Sequence, residues 1–124
     1  MNLVDSSCWL EYFAGTTDSE AFAGIIEAID QVIVPSIVLY EVFRKAINTA
    51  GEELALDIAA QLNQGVVVSL DADLALEGAR LGVLHRLPMA DSLIYATAQR
   101  YGAVLYTMDA HFKDLSDVRY FPKR

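Results

Sequence analysis

Four acidic residues stand where an apolar segment ends or a helix begins, and they are the strongest candidates for chemistry in this chain. The segments LVD at 3–5, VPSIVLYE at 34–41, LPMAD at 87–91 and AVLYTMD at 103–109 end on Asp5, Glu41, Asp91 and Asp109. At an effective dielectric constant near 20 and a separation of about 5 Å, each pair of like charges costs roughly 3 kcal/mol. If the fold brings the four carboxylates together, the cluster requires a cation, and we therefore predict a divalent-metal site.

Each acid also has a structural explanation that involves no chemistry. Asp5, Asp91 and Asp109 suit helix N-termini, where a carboxylate accepts backbone N–H groups and stabilises the helix dipole. Glu41 precedes Lys45 by four residues, which is the favourable order for an ion pair on a helix surface. Taken together the acids favour chemistry, because Asp5 and Asp109 both follow predicted strands, and ligands of parallel sheets bind at the carboxyl ends of strands.

Short apolar segments alternate with helical periodicity along the chain. The predicted buried strands are Asn2–Val4, Val32–Val34, Val66–Val68 and Ala103–Tyr106, with a weaker edge strand at Val118–Phe121. Between the strands we expect helices, including a break at Gly51, a helix end at Gly102, and a small-residue packing face of Ala75, Gly78, Ala79, Gly82 and Val83. The alternation predicts an α/β fold, a three-layer α/β/α sandwich around a parallel sheet of four to five strands.

The residues around the acids bear on which ion the site would take. Oxygen ligands without paired histidines or cysteines favour Mg²⁺ or Mn²⁺ over zinc. The hydroxyls of Ser6, Ser7 and Thr107 lie beside the acids in sequence and could orient them or a bound water. His111 is a better candidate than His85 for a role at the site, although a surface role is the simpler interpretation of both histidines.

Composition limits the classes of protein that fit. The chain has 124 residues, of which 54% are hydrophobic, enough for one domain with a real core. The net charge of −8 argues against a general nucleic-acid binder and suits a basic protein partner. Cys8 is the single cysteine, which is compatible with a reducing compartment. Without a secretory signal or a long apolar segment, we expect a cytoplasmic protein with no membrane association.

Two known protein classes share part of this pattern of strands and acidic residues. The segment VVVSLDADL at 66–74 is similar to the opening of haloacid-dehalogenase-type phosphatases, but Ala75 stands where that motif usually carries Thr or Val. We therefore interpret Asp71 and Asp73 as acids at the start of the next helix. A phosphate-receiver domain needs adjacent acids near its beginning, and Asp5 has no acidic neighbour.

The segments around the four acids resemble those of PIN-domain nucleases and, more narrowly, of the VapC-type toxins of bacterial toxin–antitoxin pairs. The resemblance rests on LVDSSCWLEYF at 3–13, PSIVLYEVFRKA at 35–46, LPMADSLIYATAQRYGAVLYT at 87–107 and TMDAHF at 107–112, which follow the family's order. It implies a single PIN domain over residues 1–124. It also implies that the family's catalytic and metal-binding acids are Asp5, Glu41, Asp91 and Asp109, with Thr107 as a supporting hydroxyl. The family often carries another acid where this chain has His111.

The resemblance implies a metal-dependent endoribonuclease that acts as the toxin of a toxin–antitoxin pair. Mg²⁺ or Mn²⁺ would activate a water that hydrolyses an RNA phosphodiester. The implied partners are an RNA such as tRNA or rRNA, a cognate antitoxin that blocks the carboxylates, and a second copy in a homodimer. Two alternatives remain open, a catalytically silent PIN fold that binds RNA or protein, and a solitary PIN nuclease in RNA processing. Basic residues near the acidic segments are candidates for RNA phosphate contacts, namely Arg44, Lys45, Arg86 and Lys113.

Overall fold

The computed structural model describes residues 1–123, which form five strands and six α-helices. The strands are β1 (Asn2–Val4), β2 (Val32–Pro35), β3 (Val66–Val68), β4 (Val104–Thr107) and β5 (Val118–Tyr120). The helices are α1 (Ser6–Ala14), α2 (Glu20–Glu27), α3 (Ser36–Ala50), α4 (Glu52–Leu62), α5 (Ala72–His85) and α6 (Met89–Arg100). Each predicted strand agrees with an observed one to within one residue at either end.

All five strands belong to one parallel sheet in the order β3-β2-β1-β4-β5. The central strand β1 pairs with β2 on one side and with β4 on the other, so that Asn2 lies opposite both Val32 and Val104. The six helices flank this sheet. These observations confirm the predicted α/β/α sandwich with a parallel sheet. Because the strands are parallel, their carboxyl ends all lie along one edge of the sheet.

The core is built around the central strands. The side chains of Leu3, Val32 and Ile33 are completely buried. The prediction that β3 is buried on both faces was wrong, because Val66 and Val67 are 40% and 41% exposed. β3 is an edge strand, and its outer side has no neighbouring strand among residues 1–123.

Two glycines end helices at the predicted positions. Gly51 separates α3 from α4 with a φ of +88°, and Gly102 follows α6 with a φ of +58°. These backbone conformations favour glycine because they bring no Cβ into collision with the chain. The backbone N–H of Ala103 then donates to the carbonyl of Ala98, which closes the last turn of α6 before β4 begins.

The packing of α5 against α6 positions the helix that carries Asp91. A Cβ on Gly78 would lie 2.7 Å from Cδ2 of Leu93, and a Cβ on Gly82 would lie 3.2 Å from Cβ of Ser92. The predicted small-residue face of α5 is therefore correct at these two glycines.

The prediction of a small-residue packing face on α5 was wrong at Ala75, Ala79 and Val83, which are exposed. The buried face of α5 is instead set by Leu74 and Leu81, whose larger side chains remove more apolar surface from water. Among residues 1–123, no helix combines the length and the apolar character that a membrane span requires.

Candidate active site

Strand order brings the four acids to the same edge of the sheet. Asp5 follows β1, and Asp109 comes two residues after the neighbouring strand β4. The backbone N–H of Asp5 donates to the carbonyl of Tyr106 at 2.9 Å, which continues the pairing of these strands by one residue. Glu41 lies in the second turn of α3, directly after β2, and Asp91 lies in the first turn of α6.

Asp5 is the most deeply buried of the four, at 3% exposed. It occupies the N-cap position of α1, but its side chain makes no capping hydrogen bond. Instead, Oδ2 accepts from Oγ of Ser7 at 2.6 Å and from Oγ1 of Thr107 at 2.9 Å. Burial raises the pKa of the Asp5 carboxyl, while the two hydroxyls partly offset this effect. Asp5 therefore lies at the predicted N-cap position, but its side chain bonds the two hydroxyls instead of capping the helix.

The same hydroxyls fix the chain after β4. Oγ1 of the buried Thr107 accepts from the backbone N–H of Asp109 at 2.9 Å, and Oγ of Ser7 accepts from the N–H of Met108 at 3.0 Å. Each hydroxyl thus donates to Asp5 and accepts from the segment that carries Asp109. The network holds two acids in a fixed relation through residues about a hundred positions apart in sequence.

Glu41 points toward the other acids rather than to the helix surface. Its Oε1 accepts from Oγ of Ser6 at 3.1 Å, and among residues 1–123 it forms no ion pair with Lys45. The pKa of the half-buried Glu41 carboxyl is raised, first by burial and then by the charges of Asp5, Asp91 and Asp109. The surface ion pair between Glu41 and Lys45 that the sequence suggested is therefore absent among residues 1–123. The hydrogen-bond partner of Glu41 is Ser6 instead.

The pKa of Asp91 is raised by burial and by the charges of the neighbouring acids. Its side chain is 13% exposed, and its pKa is raised to about 6, first by burial and then by the charge of Asp109. The charge of Asp5 acts on it in the same direction, and the hydrogen bond from His111 acts against it. Together with the effects on Asp5 and Glu41, repulsion links every pair among the four acids. All four acids therefore lie close enough for their charges to act on one another.

Among residues 1–123, His111 is the one basic side chain in contact with the acids. Within the described chain, no lysine or arginine lies within 4 Å of any of the four carboxylates. Nδ1 of His111 lies 2.8 Å from Oδ2 of Asp91 and 3.1 Å from Oδ1 of Asp109, and the bond to Asp91 raises the pKa of the imidazole. Two carboxylates and one imidazole, those of Asp91, Asp109 and His111, form the donor group that is close enough to fit one divalent cation, and Asp5 and Glu41 lie outside that group. Asp91, Asp109 and His111 each offer one ligand atom, all within 4.8 Å of one another.

The contacts of His111 with the acids were not predicted from the sequence. The ring is exposed, as the surface interpretation expected, and it also bridges two of the acids. The signal that could have found it is its position two residues after Asp109, where the resembling family often has an acid. Asp109 itself caps a short 3₁₀ turn at Ala110–Phe112, and its Oδ1 accepts from the backbone N–H of His111 at 2.9 Å.

The acids that suggested a phosphatase have structural roles. Asp71 is the N-cap of α5, where Oδ1 accepts from the N–H of Leu74 at 2.8 Å, and it forms an ion pair with Arg100. Asp73 lies in the first turn of the same helix. This agrees with their interpretation as acids at the start of a helix.

Solved structures, among them one of a toxin and one of a toxin–antitoxin complex, share this fold over nearly the whole chain. A toxin–antitoxin complex from Klebsiella pneumoniae matches at 21% identity and a TM-score of 0.84, covering all of both chains. VapC20 of Mycobacterium tuberculosis, described as a toxin that cleaves the sarcin–ricin loop, matches at 24% identity and a TM-score of 0.79, covering 98% of this chain and 100% of its own. FitAcB of Neisseria gonorrhoeae matches at 20% identity and a TM-score of 0.73, covering 98% and 96%.

The family assignment rests on the sequence as well as on the fold. None of the curated proteins compared with the chain matches it. The family model of the PIN domain, however, matches residues 3–118, which include Asp5, Glu41, Asp91 and Asp109. With this match, the chain belongs to the PIN-domain family.

Proposed function

We propose that the protein is a Mg²⁺- or Mn²⁺-dependent endoribonuclease and the toxin of a toxin–antitoxin pair. The observation that carries the proposal is the proximity of Asp5, Glu41, Asp91 and Asp109, with His111 as the one basic side chain in contact with them among residues 1–123. Membership of the PIN family supports hydrolysis of phosphodiesters. The solved toxins of the same fold support the biological role.

The mechanism follows from what the side chains do. A divalent ion bound by the four acids would supply an activated water and positive charge for the oxygens of the reacting phosphate. Ser7 and Thr107 hold Asp5 in one orientation, and Ser6 holds Glu41, so that little rearrangement is needed when the substrate arrives. No side chain serves as nucleophile. Cys8, which follows Ser7 in the sequence, is completely buried. Burial raises the pKa of its thiol, so the side chain stays protonated.

The direct test is cleavage by the purified protein. With Mn²⁺ we expect hydrolysis of RNA by the wild type, and its loss in Asp5→Asn and Asp91→Asn. Asp73→Asn is the matched control, because Asp73 occupies the first turn of α5 as Asp91 does that of α6. Equal RNA binding with no cleavage by any of the four proteins would instead favour a silent binding module.

Basic residues without a carboxylate partner among residues 1–123 are the candidate contacts for RNA phosphates. Arg44, Lys45, Arg86 and Lys113 are exposed, and within the described chain none forms an ion pair with a carboxylate. We expect Arg86→Gln and Lys113→Gln each to weaken RNA binding and to lower its salt-dependence slope by about 1. Arg80→Gln is the control, because Arg80 is already paired with Glu77 at 2.7 Å.

The proposed substrate is a class of RNA rather than one particular RNA. VapC20 is described as cleaving the sarcin–ricin loop, which supports a structured RNA such as rRNA or tRNA here. Sequencing of RNA ends after induced expression would identify the target, with Asp5→Asn expressed in parallel. New ends that appear equally in both samples would contradict direct cleavage.

The antitoxin is proposed to be a basic protein. The chain carries a net charge of −8, and an arginine from a partner would neutralise the carboxylates that lack basic neighbours. We expect the product of a small gene that abuts this one to bind the protein and to inhibit cleavage. Cleavage that no such product inhibits would favour a solitary PIN nuclease.

A homodimer is proposed from an apolar surface on α5 and the start of α6. Leu76, Val83, Leu84 and Met89 are all largely exposed there, with Val83 at 84%. Light scattering after size exclusion should give a dimer for the wild type and a monomer for Val83→Asp. Leu56→Asp, at an exposed position of α4, should leave the mass unchanged. A monomeric wild type would refute this part of the proposal.

A further inference from the structure

We infer that His111 is a nitrogen ligand of the metal site and that it shifts the preference of the site from Mg²⁺ toward Mn²⁺. The inference rests on the metal dependence in the proposed function. It concerns a residue at which this chain departs from the acid that the family often has.

The donor spacing supports ligation. Nδ1 of His111 lies 2.8 Å from Oδ2 of Asp91 and 3.1 Å from Oδ1 of Asp109. In an octahedral shell with bonds near 2.1 Å, neighbouring ligand atoms are about 3 Å apart. The nitrogen of His111 therefore has this spacing to both carboxylates, and ligand atoms of all three residues lie within 4.8 Å of one another.

The backbone keeps the imidazole in this place. His111 belongs to the 3₁₀ turn Ala110–Phe112, and its N–H donates to Oδ1 of Asp109 at 2.9 Å. The next residue, Phe112, is completely buried and anchors the turn in the core. The ring itself is 56% exposed, so its replacement should leave the fold intact.

The ligand type sets the direction of the preference. Mg²⁺ is the harder ion and is held by oxygen, whereas first-row transition ions also accept imidazole nitrogen. An imidazole in place of a carboxylate also gives the cluster one negative charge fewer. The loss of one negative charge weakens the binding of both ions, whereas the nitrogen ligand disfavours Mg²⁺ relative to Mn²⁺.

A competing role for His111 makes the opposite prediction. The ring could act only as a counter-ion that pairs with Asp91 and moves away when a metal enters. In that case the nitrogen would not be bound to the ion, and replacing the ring would affect Mg²⁺ and Mn²⁺ equally.

Pulsed electron paramagnetic resonance of the Mn²⁺-loaded protein distinguishes the two roles without RNA. We expect modulation from a directly bound ¹⁴N in the wild type and its loss in His111→Asp. The chain has only two histidines, so His85→Ala, at an exposed position of α5, is the matched control and should keep the signal. Persistence of the signal in His111→Asp, or its absence from the wild type with Mn²⁺ bound, would overturn the inference.

Calorimetry gives the second readout. We expect His111→Ala to weaken Mn²⁺ binding at least about tenfold, as loss of a metal partner does, and Mg²⁺ binding less than about threefold. His111→Asp should lower the ratio of Mn²⁺ to Mg²⁺ affinity about tenfold. An unchanged ratio in both variants would overturn the inference. Wild-type protein that cleaves RNA with Mn²⁺ but shows no nitrogen coupling would refute this inference alone, whereas failure both to bind metal and to cleave would refute the proposed function.

Discussion

Replacing Asp91 by asparagine should stabilise the metal-free protein while abolishing cleavage. The pKa of Asp91 is raised from its ordinary value of 3.8 to about 6. At 1.36 kcal/mol for each factor of ten in the ionisation equilibrium, this difference corresponds to about 3 kcal/mol of unfavourable free energy at neutral pH. Asparagine removes that charge and keeps an oxygen that can accept from Nδ1 of His111.

Two smaller effects oppose the gain. Asp91 lies in the first turn of α6, where a negative charge stabilises the helix dipole by roughly 0.3–1 kcal/mol. The ion pair with His111 would also be lost, but it contributes little because the ring is 56% exposed. We therefore expect Asp91→Asn to raise the free energy of unfolding by about 2 kcal/mol at pH 7.5, after both losses are subtracted from the electrostatic gain.

The pH dependence gives the sign of the effect independently. Because the pKa of Asp91 is higher in the folded than in the unfolded state, its stabilising contribution is complete below about pH 4 and is lost as the pH rises through about 6. The wild type should therefore lose stability over this window. The advantage of Asp91→Asn should be absent at pH 4 and complete at pH 7.5.

Urea unfolding in the presence of a chelator, at pH 4 and pH 7.5, measures this difference. Asp73→Asn is the control, because it removes a first-turn acid of α5 outside the cluster and should cost up to about 1 kcal/mol. If Asp91→Asn is destabilised to the same extent as Asp73→Asn at pH 7.5, Asp91 is a helix-dipole residue. The reasoning from carboxylate repulsion would then be refuted.

Three further predictions concern the ion, the hydroxyl network and the helix packing. Mn²⁺ at a hundred times its dissociation constant should raise the unfolding free energy by about 2.7 kcal/mol in thermal scans, and Asp5→Asn should not respond. Thr107→Val should lower it by about 2–4 kcal/mol in urea, because Oγ1 bonds both Asp5 and the N–H of Asp109, and Thr107→Ser should recover most of the loss. Gly78→Ala should lower the unfolding free energy by about 1–3 kcal/mol, because the added methyl group would collide with Leu93. Gly24→Ala in α2, with open space around it, should be neutral or stabilising. Equal effects of the two substitutions would contradict the packing of α5 against α6.

The strand positions were predictable because each strand is a local apolar segment between helical ones. The order of the strands was not, and this is why β3 was wrongly expected to be buried. Val66 and Val67 have the composition of a central strand, and only their place at the edge exposes them. The small residues of α5 also gave a partly wrong packing face, because Leu74 and Leu81 determine which side of the helix faces inward.

Convergence of the acids could be predicted to the extent that it depends on strand ends. Asp5 and Asp109 follow strands whose carboxyl ends must share an edge in any parallel sheet. The contacts that orient the acids could not be predicted. Ser6 bonds Glu41 across 35 positions, and Thr107 bonds Asp5 across 102, so these pairs depend on helix placement and on individual rotamers.

The choice of partners for Asp5 and Glu41 explains how the cluster can be both fixed and highly charged. A lysine or arginine in contact would neutralise a carboxylate and compete with an incoming ion. A hydroxyl from Ser6 or Ser7 orients the carboxylate without cancelling its charge, so the repulsion among the acids persists in the folded protein. Binding of the proposed divalent ion would relieve that repulsion, so the free energy that destabilises the metal-free fold would add to the affinity for the ion. Stability without metal and affinity for metal should therefore change in opposite directions in Asp91→Asn.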